Sequence, residues 1–135
     1  MSLKKAIQAI GRRKSSTARV YMTPVDAGAE TEFVVNEKAF QAYFPQPSLR
    51  RAVLKPFNTT DTKGKYNIFV RVNGGGTSGQ AGALSLGIAR ALQKIQPELH
   101  QMLRKSGLLT RDSREVERKK PGKHKARKST QFSKR

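Results

Sequence analysis

Beyond Thr110 the chain has almost nothing left to bury. Residues 111–135 hold Val116 and Ala126 as their only aliphatic side chains, beside eleven Lys and Arg and three Asp and Glu, a net of +8. Too little apolar surface is present to offset the entropy of ordering such a segment, and its like charges repel one another. The stretch GKHKARKSTQFSKR, Gly122 to Arg135, is the extreme case, with six basic residues and one aromatic. A segment like this takes a defined shape only against something anionic. The core must therefore come from the rest of the chain. The expected division is a globular body over 1–110 and an extended basic tail over 111–135.

One domain is the size expected for 135 residues, and an apolar share of 36% supports one modest core. The 28 Lys and Arg against 9 Asp and Glu give a net charge of +19. Self-repulsion of that size strains a compact monomer, and a polyanion relieves it. Nucleic acid is the first candidate and an acidic membrane surface the second. Cysteine is absent, so disulfides and thiolate metal sites are excluded, and a reducing compartment fits. The opening MSLKKAIQAIGRRK carries no long apolar run and is expected to be neither a secretory signal nor a transit peptide. No stretch has the length needed to cross a bilayer.

Periodicity places the elements of the body. TARVYM alternates, with Ala18, Val20 and Met22 on one side and Thr17, Arg19 and Tyr21 on the other. KYNIFVRVN alternates too, with Tyr66, Ile68, Val70 and Val72 together. Both patterns predict half-buried strands. AIQAI predicts a strand paired to the first through a basic loop, and EFVVN a short fourth strand. NEKAFQAYF and PSLRRAVLKPF read as two short helices, the second capped by Ser48 and ended by Pro56, followed by a polar loop, NTTDTKGK. Gly74 to Ile95 reads as a glycine-rich turn and a long helix, with Leu84, Ile88, Ala91, Leu92 and Ile95 on one face. A second stripe, Gly79, Ala83 and Gly87, has no bulk and implies close approach of another backbone. Pro97 restarts a helix that Gly107 stops. The fold class is α+β, one sheet with helices packed on one face.

Gly74, Gly76 and Gly79 spell G-x-G-x-x-G between a strand and a helix. A dinucleotide site needs a further parallel strand carrying an acid for the ribose, yet Pro97 and another helix come next. The same residues nearly spell a P-loop, but Gln80 stands where the lysine is required. A tight turn feeding a closely packed helix explains the glycines equally well. So does a helix N-terminus open to any phosphate, including an RNA backbone. His100 and His124 are isolated, no metal-ligand spacing occurs, and no nucleophile–base pair is legible. Glu115 and Glu117 are expected to pair with neighbouring cations. No enzyme activity and no cofactor are expected.

Positive charge concentrates at Arg12, Arg13 and Lys14, at Arg50 and Arg51, at Arg118 to Lys120, and in the final stretch. Arg50 and Arg51 read as a solvated face. The tail arginines, Arg114, Arg118 and Arg127, can fork onto phosphates or stack on bases, and Phe132 can stack on a base or tuck against a protein neighbour.

GRRKSSTARV, GGGTSGQAGALSLGIARAL and DSREVERKKPGKHKARKSTQFSKR together resemble the ninth protein of the small ribosomal subunit, bacterial type, over nearly the whole chain. The glycine–helix stretch and the final Ser-Lys-Arg carry most of the specificity. The resemblance implies a non-enzymatic component of the subunit head, with an uncommon left-handed βαβ crossover in the body. It implies ribosomal RNA binding through Arg12, Arg13 and Lys14; through Gly74, Gly75, Gly76, Gln80 and Arg90; and through Arg114, Arg118, Lys119, Lys120, Lys123, Lys125, Arg127 and Lys128. It places Ser133, Lys134 and Arg135 near the anticodon stem-loop of the tRNA in the peptidyl site. Phe132 stands where relatives often have tyrosine. Neighbouring head proteins are the other partners; no membrane partner is implied, and the compartment is the cytoplasm or a plastid stroma. A nucleotide-binding enzyme and a general nucleic-acid-binding or RNA-chaperone protein are the rival readings.

Overall fold

The alternating strands pair as their patterns require. In the computed structural model, which describes residues 5–134, β1 (Ile7–Arg13) and β2 (Ser16–Pro24) form an antiparallel hairpin closed at Lys14 and Ser15. β5 (Tyr66–Asn73) lies antiparallel on the other side of β2, with Val20 opposite Val70. β3 (Phe33–Val35) pairs in parallel with β5 and antiparallel with the two-residue β4 (Lys38–Ala39), giving a five-stranded mixed sheet ordered β1-β2-β5-β3-β4. The parallel pair is joined through α1 (Phe40–Tyr43) and α2 (Pro47–Thr60). α3 (Thr77–Ile95), a 3₁₀ turn at Pro97–Leu99 and α4 (His100–Lys105) follow β5.

The period of two decides which face is covered. Ala9, Ala18, Val20, Met22, Ile68, Val70 and Val72 are buried, and α3 lies on them along β1 and β2 while packing against α2. The bulky face foreseen for α3 is in the core: Leu84, Ile88, Ala91 and Leu92 are fully buried, and Ile95 packs at the margin. Gly107 ends α4, with its own N–H and that of Leu108 returning to the carbonyls of Arg104 and Leu103.

Four local expectations are corrected. NEKAFQAYF is not a helix throughout. Asn36 and Glu37 both take positive φ, 47° and 65°, and turn the chain back into β4, so that α1 is a single turn. This is the conformation of a two-residue hairpin turn with the hand that suits twisted strands. α2 starts at Pro47, with Gln46 rather than Ser48 at its cap position. Pro56 does not end α2, which runs on to Thr60 and takes in the first residues of the expected polar loop. Pro56 is itself buried in the core, and the carbonyl it leaves unbonded belongs to Ala52, an exposed residue where water can serve. The fourth correction is at Pro97, where a 3₁₀ turn precedes the short α4.

From Arg111 to Lys134 no helix or strand forms, and all but Asp112 and Ala126 are exposed. Val116 is 91% exposed and Phe132 fully so.

Candidate nucleic-acid interface

The backbone first brings together two motifs far apart in sequence. The hairpin turn that presents Arg12 and Lys14 packs directly on the glycine turn after β5. Gly74 and Gly75 have φ of 75° and 63°, and a Cβ on Gly74 would lie 2.5 Å from the Ser15 carbonyl. The buried Ser16 hydroxyl donates to the Gly74 carbonyl at 3.0 Å. Gly76 is different. It opens α3 in an extended conformation, with no atom near its missing Cβ and no side-chain cap, and Thr77 and Ser78 beside it are exposed. The uncapped N-terminus of this 19-residue helix thus lies next to the basic turn with Thr77 and Ser78 exposed, an arrangement that suits a phosphate.

Gln80 is turned inward. Its Oε1 accepts from the Tyr43 hydroxyl at 2.7 Å, and its Nε2 donates to the Gly74 carbonyl at 3.1 Å. Asn36 extends the relay: Nδ2 contacts Tyr43 Oη at 3.3 Å and donates to the Val72 carbonyl at 2.9 Å, while Oδ1 accepts from Val72 N–H at 2.8 Å. Asn36, Tyr43, Gln80 and Ser16 therefore hold the glycine turn from beneath. Asn36→Ala leaves both backbone groups of nearly buried Val72 without that partner. It is expected to cost about 1–3 kcal/mol in urea unfolding of the full chain. An unchanged unfolding midpoint would show that the relay does not hold the turn.

This geometry excludes the nucleotide-site spelling. Gln80 occupies the lysine position and folds back on the loop, and α3 leads to no further strand among the described residues.

Arg90 and Lys94, on α3, reach the open edge of β1. Arg90 Nη1 donates to the Ile10 carbonyl at 2.8 Å and Lys94 Nζ to the Gln8 carbonyl at 2.7 Å, covering an edge that would otherwise offer unpaired backbone groups. Lys94 had no signal in the sequence beyond lying four residues after Arg90.

Arg13 runs across α3 over Gly82, where a Cβ would come within 2.2 Å of its Cδ, and it pairs with Asp112 at 3.6 Å. Asp112 also takes a forked pair of hydrogen bonds from Arg114 and accepts from the Arg114 N–H. The hydrogen bonds from the Arg114 side chain, then its N–H and its charge with that of Arg13, hold the Asp112 carboxyl well below the usual carboxylate range. The start of residues 111–134 is thus clipped to the body by a carboxylate that stays ionised.

Farther along, Glu117 accepts from both Lys120 and Arg127, the latter at 2.9 Å, and Glu115 pairs with Arg111 at 4.0 Å. Lys123 donates to the Ser129 hydroxyl. Arg118, Lys119, Lys125, Lys128 and Lys134 are exposed and make no ion pair among the described residues. Ser133 accepts a hydrogen bond from the Gln131 side chain at its carbonyl, and Arg135 lies outside the described residues. No cluster of His, Asp or Glu with metal-binding geometry occurs among the described residues, and no helix there is long and apolar enough to cross a membrane.

A five-stranded α+β body, a basic turn beside an uncapped helix N-terminus and a run of exposed cations are the features of a protein suited to polyanions. Residues 11–135 match the family model described as ribosomal protein S9/S16. Over 129 residues the chain is 49% identical to the small ribosomal subunit protein uS9 of Gemmatimonas aurantiaca, covering 96% of this chain and 97% of that one. It is 55% identical over 125 residues to the small ribosomal subunit protein uS9m of Arabidopsis thaliana, covering 93% of this chain but spanning only 28% of that relative's length. The chain belongs to the ribosomal protein S9/S16 family. It is a non-enzymatic, RNA-binding structural component of the small ribosomal subunit and acts in translation.

Proposed function

We propose that the body, residues 1–110, docks on ribosomal RNA of the subunit head beside neighbouring head proteins, and that residues 111–135 lie as an extended basic tail along RNA phosphates. Ser133, Lys134 and Arg135 then reach the anticodon stem-loop of the peptidyl-site tRNA. The observation that carries this reading is the exposure of Arg118, Lys119, Lys125, Lys128 and Lys134 without ion-pair partners, on a segment whose root is clipped to the body at Asp112. An extended chain covers at most about 3.3–3.6 Å per residue, so two dozen residues reach tens of ångströms from their root. Arg12 and Lys14, with the uncapped N-terminus of α3, supply the body's phosphate contacts. The Gln80 side chain holds the glycine turn beside that surface, while Arg90 covers the open edge of β1 farther along α3. We assign the crossover from β3 to β5 the left-handed sense. The compartment is the cytoplasm, with a plastid stroma as the second reading; the identity to the plant uS9m protein fits a mitochondrial ribosome instead of a plastid one.

Removing Ser133 to Arg135 is expected to leave subunit assembly intact and to weaken peptidyl-site tRNA binding modestly, by a similar factor for different tRNAs. Contacts to backbone position a nucleic acid without reading its sequence. The loss shrinks as salt rises, because the lost contacts are ionic. Filter binding of several tRNAs to purified mutant subunits across a salt series measures this. Unchanged affinity at low salt, or failed assembly, would assign these residues another role.

A further inference from the structure

We propose that the uncovered face of the sheet is a second RNA-docking surface, on which an unpaired base of small-subunit ribosomal RNA stacks on Phe69 with Tyr21 at its edge while Arg19 and Arg71 hold the flanking phosphates. This rests on the ribosomal RNA-binding reading and adds a surface to it.

Strand register builds the face row by row. Gln8, Tyr21, Phe69 and Val34 are cross-strand neighbours; in the next row stand Ile10, Arg19 and Arg71, and in the third Arg12, Thr17 and Asn73. All of these alternate with buried core residues and are half-buried or exposed, and Ile10 is among the exposed large apolar side chains. Tyr21 and Phe69 have ring centroids 6.1 Å apart, and the Arg71 guanidinium sits 5.8 Å from the Phe69 centroid. The rings are tilted 46° to each other, so Phe69 offers a base one stacking face, with the Tyr21 ring at its edge and a guanidinium beside it.

Charge selects the occupant. Arg19 and Arg71 are directly opposite on adjacent strands, a placement that destabilises a sheet in isolation. Neither is among the ion pairs of the described residues, although Glu37 lines the same shallow depression with Arg19, Phe69, Arg71 and Asn73. Arg12, exposed in the third row, adds to the same field. An acidic polymer with planar groups satisfies both the cations and the rings. Unpaired RNA is that polymer, because bases inside a helix are not free to stack on protein.

The test uses the full chain and a small-subunit ribosomal RNA transcript. The double variant Arg19→Gln, Arg71→Gln is expected to keep or slightly raise the thermal midpoint. It should bind the transcript roughly tenfold more weakly near 0.1 M salt, with the log–log salt slope reduced by about 2, one per lost phosphate contact. Phe69→Leu, which keeps apolar bulk, is expected to weaken binding several-fold with an unchanged salt slope. Independently, p-benzoylphenylalanine at position 69 in assembled subunits is expected to cross-link to ribosomal RNA on irradiation. A cross-link to a ribosomal protein, or none, overturns the proposal, as does wild-type affinity in the double variant. Sedimentation of the unmodified chain with small subunits separates the two readings. If it sediments and the cross-link goes to protein, this face alone has been misassigned; if it does not sediment, both readings fall.

Discussion

Gly11→Ala is expected to lower the stability of the full chain by about 3 kcal/mol or more, at or beyond the upper end for overpacked cores. The reason is that both sides of the contact are backbone. A Cβ on Gly11 would lie 1.9 Å from the Ala83 carbonyl oxygen and 2.4 Å from the Gly87 nitrogen, so β1 would have to move away from α3. Gly87→Leu acts on the same contact from the helix side. Its Cβ alone would sit 2.7 Å from Val20 Cγ2, and a loss of about 1–3 kcal/mol is expected. Gly76→Ala is the control. Nothing lies within 4 Å of its missing Cβ and its φ is −100°, so only the poorer N-cap propensity of alanine remains, a loss of about 1 kcal/mol or less. Thermal unfolding of the three variants checks the order. A midpoint shift on the order of 10 °C or more is expected for Gly11→Ala, and an unchanged one would mean that strand and helix do not approach as described.

A chain lacking residues 113–135 is expected to keep its unfolding midpoint and lose most of its ribosomal RNA affinity. The deleted segment contributes no side chain to the core, and exposed ion pairs such as Arg114 with Asp112 stabilise little. It does contribute ten Lys and Arg. If about half of these meet phosphates, the log–log salt slope should fall by about 4–5, and affinity near 0.1 M salt by about 10²–10³ or more. Filter binding of the truncated and full chains to the ribosomal RNA transcript measures both. Equal slopes would show that the tail cations face protein or solvent instead.

Family membership was legible because its signals are local. The glycine–helix stretch, the basic turn and the tail composition are each contiguous in sequence. The strands were legible for a similar reason: alternation at Ala18, Val20 and Met22 and at Tyr66 through Val72 reports burial on one face without knowledge of the partner. The role of individual polar residues was less so. The resemblance singles out Gln80 and Arg90, yet Gln80 bonds Tyr43 and Gly74, 37 and 6 residues away, and Arg90 bonds Ile10, 80 residues away. Neither partner can be chosen from spacing along the chain. Asn36, Tyr43 and Lys94 carried no signal at all, because what each does depends on which backbone group the fold sets opposite it.

By itself the sequence determined where a core can exist, which strand faces are apolar, that one stripe of α3 must meet backbone, and that the last 25 residues need an anionic partner. These follow from composition and from periods of 2 and 3.6, which are properties of a chain's own geometry. Tertiary structure decided that the backbone meeting Gly87 is Gly11, that α2 passes through Pro56, and that Asn36 and Glu37 turn the chain into β4. It also decided that Arg19 and Arg71 stand side by side, 52 residues apart in sequence. Each of these depends on register between distant segments, which hydrogen-bonded pairing and close packing set together and no single segment encodes.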